Sequence, residues 1–246
     1  MKKHTLLPEI LIFSIIFLGC ILPPFFTTAE NIGQETFTNW TFPWQALGHG
    51  LFATVLYILS LKLLPKKDFG GRFSQDSDEQ LIQDSREQFS RGQFFLFFIL
   101  IPFTLSFGAL FSVSLVMKFF ALIFKADSVL TVQKPDSLIS ILFCVLLFAN
   151  SAFYEEVIYR FYFPEALLRF VKMKPHKKWL EITLNILIEV TGACVFAFAH
   201  LYSGYFSVIN AFLAHIILRI CFKKSGNIWG GFAAHFVYNM ISLILL

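Results

Sequence analysis

Seven stretches of this chain are too apolar to face water and long enough to cross a bilayer, at approximately 6–26, 44–64, 94–117, 138–163, 179–202, 205–222 and 228–246. A helix needs about 20 apolar residues to span the hydrocarbon, and within lipid each backbone N–H and C=O must find its partner inside the segment. The pattern therefore predicts an all-α, polytopic transmembrane bundle of about seven spans. The third run leaves one choice open. Apolar residues continue from Phe94 to Phe124, with Pro102 near one end and Lys118 near the other, so it is either one long helix or a span plus an eighth interfacial or spanning segment within 94–124. Composition agrees: of 246 residues 57% are apolar and 15% charged, against roughly 25% charged in soluble domains. That balance excludes a disordered chain, a secreted disulfide scaffold and a basic nucleic-acid binder. At the start, Phe17-Leu18-Gly19-Cys20 faintly resembles a lipoprotein cleavage box. The apolar run is longer than a signal peptide needs and Glu9 interrupts its beginning, so it reads as an uncleaved first span.

Threading seven spans in order puts Lys2, Lys3, Lys62, Lys66, Lys67, Arg72, Arg86 and Arg91 on one side, together with Arg169, Lys172, Lys174, Lys177, Lys178, Arg219, Lys223 and Lys224. The other side receives Lys125 and Lys134, while Lys118 and Arg160 lie inside apolar runs. The bias of basic loops toward the cytoplasm predicts a cytoplasmic N-terminus, an odd number of spans and residence in the cell membrane. Organisation is read as N-terminal transmembrane helices over 1–125, interrupted by a hydrophilic cytoplasmic loop at 65–93 with a short surface helix near 79–89, then a transmembrane core over 138–246. The cysteines Cys20, Cys144, Cys194 and Cys221 all lie in apolar runs without a C-x-x-C spacing, so they indicate neither a zinc knuckle nor a redox pair.

An ionisable group in hydrocarbon costs at least about 2.5–3.5 kcal/mol on insertion scales and marks function or internal pairing. Three clusters qualify. In Glu155-Glu156-Val157-Ile158-Tyr159-Arg160, the spacing of four lets Glu156 pair with Arg160 on one helix face, while Glu155 is turned about 100° away and stays free. In Phe196-Ala197-Phe198-Ala199-His200, a histidine ends the fifth run. In His235-Phe236-Val237-Tyr238-Asn239, His235 and Asn239 share a face of the last run. Taken singly, each has an ordinary reading: a charged helix end, a packing histidine, a helix-contact polar pair.

Together and in order, over about residues 138–246, the three clusters resemble the CPBP family of intramembrane proteases, which includes the CAAX prenyl endopeptidases. The run Lys223-Lys224-Ser225-Gly226-Asn227-Ile228-Trp229 before His235 looks like the family's short loop into its last motif. Phe161 stands where the family often has Gly after the arginine. The resemblance implies an integral membrane endopeptidase acting on membrane-associated or lipid-modified peptides. Glu155 and His200 would activate water, and His235 and Asn239 would hold the oxyanion. Glu156, Arg160 and Phe196 would support them from behind. The implied partners are a peptide or protein substrate and the lipid bilayer, with no nucleic acid.

Cofactor use is an open choice at this stage. Glu155, His200 and His235 offer a two-histidine, one-carboxylate zinc set, but no H-E-x-x-H is present and an amide at Asn239 is a poor zinc ligand, so a metal-free glutamate mechanism is favoured. Two other functions compete with proteolysis: a non-catalytic scaffold or bacteriocin-immunity-type protein of the same fold, and a transporter using Glu189, His215 and Arg219. Glu165 and Glu181 are expected to be solvated at the cytoplasmic boundary, and Tyr159, Tyr162 and Trp179 to sit in an aromatic belt. The span limits place Glu155 and His200 some 20 Å or more apart at 1.5 Å per residue. The two can share a water if the fourth helix runs on through Phe161, Tyr162 and Phe163 toward Leu168, or if the fifth begins below the membrane around Lys177; both adjustments are favoured, with helix tilt absorbing the excess length.

Overall fold

The computed structural model describes residues 6–27, 42–63, 91–125, 134–172 and 177–245, all helix or short connection. The loop 65–93 lies almost wholly outside these residues, as do its expected surface helix and the basic residues Lys2, Lys3, Lys66, Lys67, Arg72, Arg86 and Lys174. Helix α1 is Leu6–Ile16, extended by a π turn at Phe17–Ile21 and a 3₁₀ turn at Pro23–Phe26. Helix α2 is Trp44–Leu63. Helix α3 begins at Arg91–Phe95, passes through a π turn at Leu96–Leu100 and continues as Ile101–Ile123. Helices α4, Leu138–Glu155, and α5, Phe163–Lys172, are joined without a break by a π segment, Glu156–Tyr162. Helices α6, Lys178–Phe198, α7, Tyr205–Ser225, and α8, Trp229–Leu245, complete the bundle.

Among the described residues six helical segments are long and apolar enough to cross a membrane, and α8 adds a seventh of 17 residues, within the usual range of about 17–25. The protein is an integral membrane helix bundle. The third run is one continuous helix from Gly92 to Ile123. Pro102 lies inside that helix, just after the π turn, and offers no N–H to the carbonyl four residues back; that Phe98 carbonyl accepts instead from Asn227 Nδ2 at 3.0 Å.

The fourth span is longer than its apolar run suggested. It extends from Leu138 to Lys172, 35 residues, or about 50 Å at 1.5 Å per residue. It starts cleanly, since Ser137 and Ser140 form a reciprocal capping box. Its length puts Glu155 mid-way along a helix instead of at a membrane surface. Lipid-facing residues such as Leu138, Leu142 and Leu105 are exposed, while the buried core collects around the π segment, with Val157, Ile158 and Phe161 all at 0% exposure. Tyr159 and Tyr162, expected in an interfacial belt, are 3% and 5% exposed and belong to that core; Trp179 alone of the three stays outside. The first helix packs into the same core. Phe13 stacks on Phe163 at 5.9 Å, meets Phe170 edge-on at 5.4 Å, and Glu9 faces Arg169 at 3.9 Å.

Candidate active site

The π segment builds the centre of the site. In a π turn the backbone bonds run from i to i+5, and such turns are frequent where function needs side chains re-aimed. One inserted residue brings Arg160 beneath both preceding carboxylates. Its Nη1 lies 3.8 Å from Glu155 Oε2 and donates to the Glu155 carbonyl at 3.4 Å, while its Nε is 3.5 Å from Glu156 Oε1. The expected Glu156–Arg160 pair is present. The expectation that Glu155 stays free fails, because α-helical spacing does not hold across this segment. Arg160 and Glu156 are 0% and 1% exposed, whereas the Glu155 side chain keeps 22%. A buried guanidinium with an imperfect ion pair needs another stabiliser, and Arg160 lies over the Phe196 ring at 3.7 Å. Phe161, where the family often has Gly, fills a pocket between Tyr57 and Phe222, with ring centroids at 5.4 and 5.8 Å.

Helix α8 brings His235 between the two glutamates. Its Nδ1 is 3.0 Å from Glu156 Oε1, and its Nε2 is 3.7 Å from Glu155 Oε2. Gly231, one turn earlier, permits this approach. A Cβ there would stand 3.1 Å from Glu156 Oε2, tighter than ordinary contact. Gly231→Ala should therefore push the Glu156 carboxylate off His235 and lower turnover more than it lowers thermal stability, read by assaying and melting the same purified sample. Equal losses in both would make Gly231 a packing residue only. Asn239, four residues on, shares the His235 face and is half-buried, its amide free of hydrogen bonds to the described residues.

His200 lies just beyond a helix rather than within one. Helix α6 ends at Phe198, and a 3₁₀ turn, Leu201–Ser203, leads to Gly204, whose φ of 93° lies in the left-handed region glycine favours. The His200 Nδ1 is 2.9 Å from the Phe196 carbonyl. A carbonyl only accepts, so Nδ1 carries the proton and Nε2 has a free lone pair. Burial pushes the imidazole pKa below its ordinary value, and Glu155, Arg160 and His235 are near enough to act on it electrostatically. The structure thus brings Glu155, Glu156, Arg160, Phe196, His200 and His235 to one locus, with Asn239 on its α8 wall. The distance problem between Glu155 and His200 is relieved by the extra length of the fourth helix.

A second ionic cluster includes the pairing of Glu189 with Arg219 across the α6–α7 hairpin, the structural alternative to transport that the sequence offers for these residues. On α7, Arg219 donates from Nε to Glu189 Oε2 at 2.9 Å, and from Nη2 to Glu165 Oε1 at 2.8 Å and Glu189 Oε1 at 2.9 Å. Its Nη1 donates to the Arg160 carbonyl at 2.6 Å. Lys223 adds a 2.8 Å contact with Glu189. Glu165, expected in solvent, is instead drawn to a buried arginine on α7. The spacing of four between His215 and Arg219 signalled a shared face facing Glu189, but gave no sign of Glu165.

With this geometry in hand, the comparison with protein families gives one match, over part of the chain. Residues 137–241 match the family model of the type II CAAX prenyl endopeptidase Rce1-like proteins. That segment holds every residue of the site, from Glu155 to Asn239, and the likeness read from the three motifs stands over it. The Rce1-like segment begins at the Ser137 cap of α4 and leaves α1 to α3 outside. Comparison with curated proteins and with solved structures finds no match in either. Among the described residues no three His, Cys, Asp or Glu side chains are arranged to hold a metal ion. In the site His235 Nδ1 is engaged by Glu156 and His200 Nδ1 by the Phe196 carbonyl, which fixes both rings and leaves the Nε2 of His235 3.7 Å from Glu155 Oε2.

Proposed function

We propose that this protein is an intramembrane endopeptidase that hydrolyses peptide bonds of membrane-associated or lipid-modified peptides through Glu155 and His200. The observation that carries the reading is the juxtaposition of a partly exposed, incompletely bonded carboxylate, Glu155, with His235 and Arg160, inside a segment matching a prenyl endopeptidase family. Glu155 takes a proton from water as the water attacks the scissile carbonyl. His200 presents a bare Nε2 that orients the same water, and the proton held by Glu155 passes to the leaving amine as the C–N bond breaks and the product carboxyl group forms. His235, oriented by Glu156 at Nδ1, and the Asn239 amide hold the oxyanion; a pair of aimed donors is worth several kcal/mol at the transition state. Glu156 and Arg160 fix the histidine's ring and the charge balance. No step is routed through a metal. The basic helix ends Lys177, Lys178, Lys223 and Lys224 face the cytoplasm, as does the N-terminus, in the cell membrane.

The His200 environment supports a pH test. The active form is neutral, and burial lowers the folded pKa below 6.5, so activity should persist under mildly acidic conditions and fall only as pH drops below that value. The same sign applies to folding: the unfolded chain binds the extra proton first, so the neutral histidine's contribution is lost as pH falls. A kcat/KM profile in proteoliposomes checks this, and an acid limb starting above pH 6.5 would remove His200 from the mechanism.

A further inference from the structure

Behind the site, a cavity of about 660 Å³ runs between α6 and α7 from Lys178 and Glu181 at the basic helix ends to Ala193, Phe212 and His215 deep in the bundle. We propose that this cavity is a water-filled vestibule, reaching from the cytoplasmic face to the back of the Phe196–Arg160 layer and supplying the water that hydrolysis consumes. The supply half rests on the endopeptidase reading; the hydration half does not.

Three observations point to water rather than lipid. First, the Glu189 and Lys223 side chains are 24% and 30% exposed on the cavity wall. An ion pair facing hydrocarbon is expensive, and partly exposed charges within spans occur where they line aqueous cavities. Second, the lining carries polar atoms that the protein leaves without partners. His215 is 1% exposed, with neither ring nitrogen hydrogen-bonded, and Asn185 Oδ1 is likewise unpartnered. Groups of this kind are what internal waters bond, commonly with two to four bonds each. Third, the inner end adjoins the site. The His215 ring lies 5.7 Å from Phe196, and Phe196 on its other contacts carries Arg160, while its carbonyl accepts from the His200 N–H. Arg160 Nη2 also lacks a partner, so waters reaching past His215 would find a donor next to Glu155.

Cysteine accessibility in sealed membrane vesicles decides hydration without any activity assay. Val190 and Ile216 line the cavity, whereas Leu187, more exposed than either, does not. Leu187 is also about 4.5 Å nearer the basic end of α6 than Val190. Val190→Cys and Ile216→Cys should react with a charged, membrane-impermeant methanethiosulfonate from the cytoplasmic side, above the background of the unsubstituted chain with its four native thiols. Leu187→Cys should stay unreactive, the reverse of what depth alone predicts. Lipid in the cavity would leave all three silent and overturn the proposal, as would labelling of Leu187→Cys at the same rate as the others. For supply, Ile216→Trp fills the cavity and should lower kcat several-fold with KM unchanged, while Ile216→Val turns over normally. Full turnover in Ile216→Trp would overturn the supply role. Absence of cleavage by the unsubstituted chain would instead defeat the endopeptidase reading and leave the labelling result standing.

Discussion

Glu155→Gln should abolish proteolysis while leaving the protein inserted and folded. The substitution keeps the shape of the side chain and removes the proton acceptor, so the attacking water loses its base. General-base catalysis is worth about 10²–10⁴ in rate, and the residual activity should fall at or below that deficit because His200 has no carboxylate beside it. Folding should tolerate the change. Glu155 is the least buried member of the cluster at 22% exposure, and Arg160 retains Glu156 and the Glu155 carbonyl. The measurement is a comparison of membrane and secreted peptide termini from cells carrying the natural chain or the variant at equal expression. Termini found only with the natural chain establish the activity and name its substrates. Identical sets, with both proteins stably inserted, would favour a scaffold of the same fold.

The second large effect is on stability. Arg219→Met should cost about 3–5 kcal/mol, the range for removing one partner of a buried ion pair. Three acceptors lose their donor at once: Glu189, Glu165 and the carbonyl of Arg160. The last is the most consequential, because it belongs to the π segment, where the helical ladder is interrupted. Arg219→Lys should recover part of the loss, since an ammonium reaches one or two of these groups but not all of them in a planar fork. Glu189→Gln should be milder than Arg219→Met, leaving a neutral acceptor and the Glu165 contact. Thermal unfolding of the three variants in detergent orders them. An Arg219→Met protein that melts with the natural one would show that Arg219 does not support the bundle.

Hydropathy made most of the fold legible, because in lipid a span must be a closed helix and its length is set by the hydrocarbon. It failed where the physics is local. In the fourth span the apolar run fades after Phe163, yet the helix continues for nine residues to Lys172, one face held by packing against α6 and α1. Nothing in Glu156-Val157-Ile158-Tyr159-Arg160-Phe161-Tyr162 announces a π turn, since its signature is a backbone register and not a side-chain period. From that one register shift follow the reach of Arg160 to Glu155 and the burial of Tyr159 and Tyr162. The site residues themselves were legible as polar exceptions in an apolar chain. The meeting of Glu165 with Arg219 was not, because it spans 54 positions of sequence.

The two halves of the site are mounted differently. Glu155, Glu156 and Arg160 ride on a helix locked into the densest part of the core, so their positions are inherited from the whole bundle. His200 rides on a six-residue bend, 199–204, closed by a glycine and tied down by a single carbonyl. Sequence drift in that bend can retune the aim of the imidazole without disturbing any helix, whereas drift around the glutamates cannot. Diversification toward new peptides is therefore cheapest on the histidine side, with the carboxylate side as the fixed frame of reference.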